Sequence, residues 1–244
     1  MELVSFKENC KRIFELNCGL PTPTEDQIEK LFALTKIMLE VNKSMNLTAI
    51  TEENAIILKH YADSVSISEY IPQGASVIDV GCGAGFPSLP LAIFRPDLKI
   101  TSLDGTAKRI EYVRKTAQVL GLSNINAVAA RAEEYVSENG LRETFDVATA
   151  RAVANLPVLS ELCLPFVKKN GLFIAMKASQ GEKEIQDAAN AISLCGGALE
   201  ETRMLELTEN GIDVEKRVIA IIIKKKPTPD KYPRHYSQIT KKPL

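Results

Sequence analysis

Residues 77–87 read Val77-Ile78-Asp79-Val80-Gly81-Cys82-Gly83-Ala84-Gly85-Phe86-Pro87, and this stretch decides the fold. The apolar run predicts a buried strand, the glycines predict a tight turn after it, and Pro87 suits the first turn of a following helix. In an open α/β sheet the ligand site lies at the carboxyl ends of such strands, and glycine lets the backbone approach a ligand closely. A dinucleotide-binding turn would need Gly or Ala at position 86, where this chain has Phe86.

The sequence around this turn predicts a mostly parallel α/β sheet of seven strands. Short β-rich runs alternate with helical stretches, an order that places crossover helices on both faces of a sheet. The predicted strands are 76–80, 99–103, 124–130, 145–149, 172–176, 198–207 and 216–225, and the predicted helices are 87–94, 106–120, 153–168 and 180–195. Only residues 208–211 separate the last two strands, which therefore predict a C-terminal antiparallel hairpin. This arrangement is similar to the Rossmann-like class I methyltransferase fold.

The residues before the sheet predict three helices that form an N-terminal cap. In the second helix Thr24 is the expected N-cap, with Gln27 completing a capping box, and the third is expected to run from Thr51 to about Glu69. We therefore divide the chain into a helical cap at 1–70, a Rossmann-like domain at 71–226 and a basic tail at 227–244.

Composition indicates one globular unit in the cytoplasm. The chain has 244 residues, 45% of them hydrophobic and 25% charged. No apolar run reaches the roughly 20 residues that span a bilayer, and the charged opening stretch does not predict a signal peptide. Five cysteines, no C-x-x-C motif and two histidines predict neither a disulfide framework nor a structural metal site.

Charge is distributed unevenly along the chain. Of 30 basic and 31 acidic residues, seven basic and one acidic lie in 224–244, which gives that segment a charge of +6 and leaves 23 basic and 30 acidic residues elsewhere. Such a run is either a solvated segment or a nucleic-acid contact. If it contacts RNA, we expect Arg234, Lys241 and Lys242 to contribute.

The glycine turn and two strand ends predict a nucleoside-bearing ligand. Gly81, Gly83 and Gly85, preceded by an acid, resemble the S-adenosylmethionine loop of Rossmann-like methyltransferases, although a glycine turn without a ligand is the alternative. Asp104 ends the second strand, where a carboxylate accepts hydrogen bonds from ribose hydroxyls or caps a helix. After the third strand, Ala132 and Glu133 stand where methyltransferases hold adenine, although Glu133 also suits a first helical turn.

The end of the fourth strand predicts the methyl acceptor by exclusion. It lacks the Asn/Asp-Pro-Pro-aromatic motif of enzymes that methylate exocyclic base nitrogens, and neither Cys82 nor Cys163 is placed to attack a pyrimidine. An acceptor that is already nucleophilic remains, such as guanine N7, and it needs positioning more than a general base. We therefore assign no catalytic residue. Arg151 is expected to bind the cofactor carboxylate, to bind an RNA phosphate, or to form a structural salt bridge.

Several motifs together resemble one family across nearly the whole chain beyond the first helix. They are Asn46-Leu47-Thr48, His60-x-x-Asp63-Ser64, the 79–90 loop, 130–133, 151–156, 171–177, Tyr232-Pro233-Arg234 and 241–244. They are similar to the bacterial glucose-inhibited division protein B family, the small-subunit ribosomal RNA methyltransferase G proteins. The resemblance implies methylation of guanine N7 in the 16S rRNA of the small ribosomal subunit. We expect a monomer, and the sequence leaves open whether the acceptor is free RNA, a partly assembled subunit or a finished one.

The resemblance also implies S-adenosylmethionine as cofactor, contacted by Gly81, Phe86, Ala132, Glu133 and Arg151. This chain departs from the family pattern at two places. It has Asp104-Gly105 where Asp-Ser is usual, and His235-Tyr236-Ser237-Gln238-Ile239-Thr240 where Lys-Ala-Gly-Thr-Pro often stands. Two alternatives remain open, a small-molecule methyltransferase and a non-catalytic ribosome-binding protein. The roles of His60 and Asp63 also remain open.

Overall fold

The computed structural model describes residues 2–138, 140–179 and 181–244. A seven-stranded sheet forms its centre. The strands are β1 (Ser76–Val80), β2 (Lys99–Asp104), β3 (Ile125–Ala129), β4 (Phe145–Arg151), β5 (Val167–Ala178), β6 (Gly197–Thr208) and β7 (Val214–Lys224), and they lie in the order β3-β2-β1-β4-β5-β7-β6. The first five strands are parallel, and β7 runs antiparallel to both of its neighbours. The predicted fold class is therefore confirmed, including the C-terminal hairpin.

Strand β1 lies at the point where the strand order changes direction, because β2 and β3 follow on one side of it and β4 and β5 on the other. It pairs with β2 on one side and with β4 on the other. The crossovers therefore diverge from its carboxyl end, which carries the glycine turn. Ligands of open α/β sheets bind in the crevice at such a switch point. The topology thus places the glycine turn at the expected ligand site.

Eleven helices accompany the sheet in the described part of the chain. They are α1 (Leu3–Leu16), α2 (Glu25–Met45), α3 (Glu53–Ile56), α4 (Asp63–Val65), α5 (Ser88–Phe94), α6 (Ala107–Val119), α7 (Ala132–Glu138), α8 (Leu156–Cys163), α9 (Gly181–Asp187), α10 (Ala189–Leu194) and α11 (Tyr236–Lys241). A π-helical segment, Ile57–Ala62, joins α3 to α4, and short 3₁₀ helices lie at Ser68–Tyr70 and Leu164–Phe166. None of the helices described is long and apolar enough to cross a membrane.

Local capping signals explain where several helices begin and end. The predicted capping box at α2 is present, since Gln27 N donates to Thr24 Oγ1 and Thr24 N donates to Gln27 Oε1. The helix predicted at 153–168 is observed only over Leu156–Cys163, as α8. Asn155 caps its start, and Pro165 cannot continue an α-helix. The predicted helix at 180–195 divides into α9 and α10. The sequence pattern did not predict α11, and it indicated α7 only through the alternative that Glu133 lies in a first helical turn.

The N-terminal helices share a core with the helices that cover the sheet. Phe6 and Leu31, from α1 and α2, belong to the same buried apolar cluster as Leu89 of α5 and Val113 of α6. The rings of Phe14 and Phe94 stack with their centroids 5.5 Å apart. Burial of this area stabilises the cap against the sheet layer. The cap thereby brings the π-helical segment to the carboxyl ends of β1 and β4.

Candidate active site

The glycine turn is held by backbone hydrogen bonds and needs left-handed conformations. Gly81 N donates to Leu103 O over 2.7 Å, which joins the turn to β2. The φ angles of Gly81, Gly83 and Gly85 are 76°, 57° and 84°, values that favour glycine. A Cβ on Gly81 would lie 2.7 Å from a methyl group of Val153, whereas the nearest atom to a Cβ on Gly83 would be 4.0 Å away. Gly83 therefore faces open space and Gly81 is covered.

Asp104 supports the turn from the end of β2. Its Oδ2 accepts a hydrogen bond from Gly83 N over 3.0 Å, and its Oδ1 accepts one from Thr106 N over 2.8 Å. The carboxylate thus links the glycine turn to the residue before α6. Each oxygen still has a lone pair for a further donor. The sequence predicted that Asp104 either binds ribose or caps a helix. The structure shows a further role, because the carboxylate accepts hydrogen bonds that hold the glycine turn in place.

A cleft of about 220 Å³, here called the first cleft, opens at the carboxyl ends of β1, β2 and β3. It brings together four residues that the sequence predicted to bind cofactor, namely Gly81, Asp104, Ala132 and Glu133. Glu133 is buried, and its carboxylate makes no hydrogen bond or ion pair with the residues that the structure describes. The Glu133 oxygens reach the open cleft, where they can accept hydrogen bonds from a ligand. The first cleft therefore fits a nucleoside that offers hydroxyl or amino hydrogens.

Phe86 and Arg151, two further predicted cofactor contacts, lie on the other side of the turn. The Phe86 ring is buried and stacks on His60, with ring centroids 4.5 Å apart and planes inclined by 10°. The guanidinium carbon of Arg151 lies 5.2 Å from the centre of the same ring. Phe86 thus fixes the positions of His60 and Arg151 at the end of β4.

A second, larger cleft of about 700 Å³ lies beyond Phe86, at the carboxyl ends of β4 and β5. Basic side chains on its walls are Lys59, Arg151, Lys177 and Arg217, and acidic side chains are Asp63, Glu184 and Glu215. Val153 lines both this second cleft and the first cleft. The two clefts therefore meet at Val153, directly over Gly81.

Asp63 holds two arginines at the second cleft. Its Oδ2 accepts a hydrogen bond from Arg151 Nη1 over 2.9 Å, and its Oδ1 lies 3.3 Å from Arg217 Nε. Arg151 Nη1 also donates to Lys59 O over 2.9 Å. Of the three roles expected for Arg151, the structure shows the salt bridge. The sequence did not single out Arg217, because its contact with Asp63 depends on where the C-terminal hairpin packs.

His60 does not pair with Asp63, although the two are three residues apart. Its Nε2 lies 2.9 Å from Thr48 Oγ1, and its ring stacks on Phe86. Burial, assisted by the positive charge of Arg151, lowers the pKa of His60 to about 3. The imidazole is therefore neutral at physiological pH. The sequence indicated Thr48 only as part of a family motif, and its contact with His60 gives it a structural role.

The two cysteines near the site are packed side chains. Cys82 is 2% exposed and Cys163 is fully buried. Burial raises the pKa of both thiols well above the ordinary value. A buried neutral thiol is a poor nucleophile. The structure thus agrees with the interpretation of both residues as small hydrophobic groups.

The basic tail is docked on the domain, which changes the role expected of Arg234. The Arg234 guanidinium donates from Nε to Glu161 Oε1 over 2.8 Å and from Nη2 to Glu161 Oε2 over 2.6 Å. Glu161 is fully buried, so Arg234 is a structural anchor rather than a free RNA contact. Lys224 is also buried and paired, with Glu143. Lys241 and Lys242 are exposed beside Arg234, and contact with RNA through them stays a prediction.

The tail also reaches the first cleft, which the sequence did not indicate. Tyr236 begins α11 and lines the cleft, with the Arg131 guanidinium carbon 5.2 Å from the centre of its ring. The tail therefore contacts the cleft that contains Gly81, Asp104, Ala132 and Glu133. A short helix without an amphipathic period gives no local signal of such a contact.

Comparison with known proteins adds sequence and fold relationships. A family model described as rRNA small subunit methyltransferase G matches residues 27–212. A protein of Alkaliphilus metalliredigens (strain QYMF) named ribosomal RNA small subunit methyltransferase G is 45% identical over 222 residues, covering 90% of this chain and 92% of that protein. A Staphylococcus epidermidis protein of the same name is 44% identical over 236 residues, 96% of each chain. The crystal structure of precorrin-6y C5,15-methyltransferase from Geobacter metallireducens shares the fold, with a TM-score of 0.52 at 14% identity, over 75% of this chain and 92% of that chain.

Proposed function

The chain belongs to the rRNA small subunit methyltransferase G family, and from this premise we propose that it methylates N7 of a guanine in the 16S rRNA of the small ribosomal subunit. As a member of a methyltransferase family it uses S-adenosylmethionine as cofactor. The observation that carries the proposal is the meeting of the first cleft and the second cleft at Val153, over Gly81. One cleft can hold the methyl donor while the other admits the acceptor base.

The first cleft has the groups that an adenosine moiety requires. Asp104 has free lone pairs for ribose hydroxyls, and the Glu133 carboxylate opens on the cleft as a further acceptor. Gly81 lines this cleft without a side chain, so its backbone can lie close to the ligand. Arg151 lies at the side of the second cleft, where its charge suits the cofactor carboxylate. When bound, the cofactor supplies an electrophilic methyl group on a sulfonium.

The chain contributes positioning rather than proton transfer. Guanine N7 carries a lone pair and no proton, so its methylation requires no general base. His60 is neutral and held by Thr48 and Phe86, which suits a wall of the acceptor site. Lys241 and Lys242, exposed on the tail, provide positive charge for RNA phosphates. The basic side chains of the second cleft are paired with its acids, Lys59 with Glu215, Arg217 with Asp63 and Lys177 with Glu184. A monomer carries both clefts, and we propose that it acts as one.

Incubation with isotopically labelled S-adenosylmethionine tests the proposal. Small ribosomal subunits and free 16S rRNA from cells that lack the enzyme would be supplied separately, and the labelled nucleoside identified by mass spectrometry. We expect label in 7-methylguanosine at one position of the 16S rRNA. The matched control is Gly81→Val, which places a branched side chain against Val153 and should abolish labelling.

The outcomes separate the alternatives. Cofactor binding without label in either RNA would contradict the proposal and favour a small-molecule methyltransferase. Salt-sensitive binding to the subunit without cofactor binding would favour a non-catalytic ribosome-binding protein.

A further inference from the structure

The last helix of the chain forms part of the first cleft. Tyr236 lines this cleft together with Asp104, Arg131, Ala132 and Glu133. We propose that Tyr236 and Arg131 form one wall of the cofactor site and contact the adenosine part of S-adenosylmethionine, so that the C-terminal tail takes part in cofactor binding. This inference rests on the proposed function for the identity of the ligand.

Buried interactions fix the tail on the domain. Glu161 of α8 accepts three hydrogen bonds from Arg234, from its backbone N and from two guanidinium nitrogens, over 2.8, 2.8 and 2.6 Å. Ile239 of α11 is fully buried in the core cluster on this side of the sheet. Arg142 Nη2 donates to the carbonyl oxygens of Thr228 and Tyr232, over 3.3 and 2.6 Å. The backbone on both sides of Tyr236 is therefore anchored.

The chemistry of the wall suits a purine nucleoside. The Arg131 guanidinium carbon lies over the Tyr236 ring, 5.2 Å from its centre, a cation–π contact that holds the two side chains together. The half-buried Tyr236 ring provides an aromatic face, and such faces stack on bases of any sequence. Glu133, on the same cleft, provides the acceptor that selects amino or hydroxyl hydrogens. An aromatic ring beside an open carboxylate suits the flat base and the hydrogen-bond donors of adenosine.

No other group in the first cleft provides an aromatic surface among the residues that the structure describes. Phe86, which the family resemblance assigned to the cofactor, is buried between His60 and Arg151 and does not line this cleft. Tyr236 is thus the aromatic residue in position to contact the base.

Isothermal titration calorimetry with S-adenosylmethionine tests the inference without RNA. Tyr236→Ala should weaken binding by roughly tenfold, within the range for removal of one aromatic stacking partner. Arg131→Gln should weaken binding in the same direction, whereas Tyr236→Phe should bind like the parent because it keeps the ring. The matched control is Gln238→Ala, an exposed residue of the same helix.

Thermal unfolding and titration with 5′-methylthioadenosine complete the design. Tyr236→Ala should unfold at the parent temperature and should also lose affinity for 5′-methylthioadenosine, which contains the adenosine part without the amino acid. If Tyr236→Ala and Arg131→Gln both bind S-adenosylmethionine as tightly as the parent, the inference is overturned. A parent chain that binds neither compound would instead overturn the proposed function.

Discussion

Arg234 and Glu161 form a two-pronged ion pair in which the carboxylate is fully buried and the arginine is partly exposed. The pair joins the C-terminal tail to α8, which packs on β4 and β5. The basic tail, which the sequence suggested as an RNA contact, therefore uses one of its positive charges, that of Arg234, inside the protein. The consequences for stability, for the cofactor and for RNA can be measured separately.

Replacement of Arg234 should destabilise the fold. Arg234→Ala leaves the Glu161 carboxylate buried without its partner, and loss of one member of a buried pair costs about 3 kcal/mol or more. Urea unfolding at neutral pH measures the free energy of unfolding. Lys242→Ala is the control, because Lys242 is an exposed lysine of the same tail. An Arg234→Ala protein as stable as the control would show that the pair contributes nothing to the fold.

Replacement of Asp104 should affect both the cofactor and the fold. Asp104→Ala removes an acceptor for ribose hydroxyls, and we expect cofactor binding to weaken by about 1.5 to 3 kcal/mol. It also leaves Gly83 N and Thr106 N without their acceptor, so the free energy of unfolding should fall by about 1 to 3 kcal/mol. Calorimetry measures the first effect and urea unfolding the second. Unchanged stability would mean that water replaces the carboxylate at the turn.

The sequence predicted the parts of the fold that local patterns encode. Short β-rich runs identified all seven strands, and the Thr24–Gln27 pair marked the start of α2, because both signals arise from neighbouring residues. Helix α11 was not predicted since its six residues carry no amphipathic period, and burial of Ile239 by distant residues stabilises it. The π-helical segment before Asp63 likewise has no local sequence signal.

The residues of the site likewise divide into those that local sequence patterns predict and those that depend on contacts between distant segments. Gly81, Asp104, Ala132 and Glu133 follow three strand ends, and parallel topology alone brings them together. The contacts between Arg217 and Asp63, between Thr48 and His60, and between Tyr236 and Arg131 join segments that are separate in sequence. One sequence gives no means to locate such pairs until the packing of the hairpin, cap and tail is known.

Asp79 should make stability depend on pH. Burial raises the pKa of Asp79 from 3.8 to about 6, even though Ser88 and Thr149 donate hydrogen bonds to its carboxylate. Between these pH values the folded protein binds the proton more tightly than the unfolded chain, so the Asp79 contribution to stability falls as pH rises. Above about pH 6 that contribution is constant.

Asp79→Asn tests this dependence because it removes the titrating group. The difference in free energy of unfolding between variant and parent should shift in favour of the variant from about pH 4 to about pH 6, then stay level. Urea unfolding of both proteins across this range gives the difference directly, and the titrations of all other groups, His60 included, largely cancel. A difference that does not change with pH would show that Asp79 keeps an ordinary pKa.

The exposed tail lysines should act on RNA without acting on the cofactor. Lys241→Gln with Lys242→Gln removes two charges that lie outside the first cleft, and phosphate contacts position RNA without activating a base. We expect weaker binding to the ribosomal substrate and a salt-dependence slope smaller by about 0.7 to 0.9 for each phosphate that the variant no longer neutralises. Cofactor affinity should equal that of the parent.

Kinetics at saturating substrate separates this role from that of Arg234. Loss of binding that is equal in ground and transition states raises KM and leaves kcat unchanged, so the lysine variant should recover the parent rate when subunits are in excess. Arg234→Ala should differ, because release of the tail from Glu161 also displaces Tyr236 from the first cleft and lowers cofactor affinity. Steady-state rates with each substrate varied in turn measure both effects. A lysine variant that stays slow at saturation, with normal cofactor binding, would show that these lysines help to order the acceptor site.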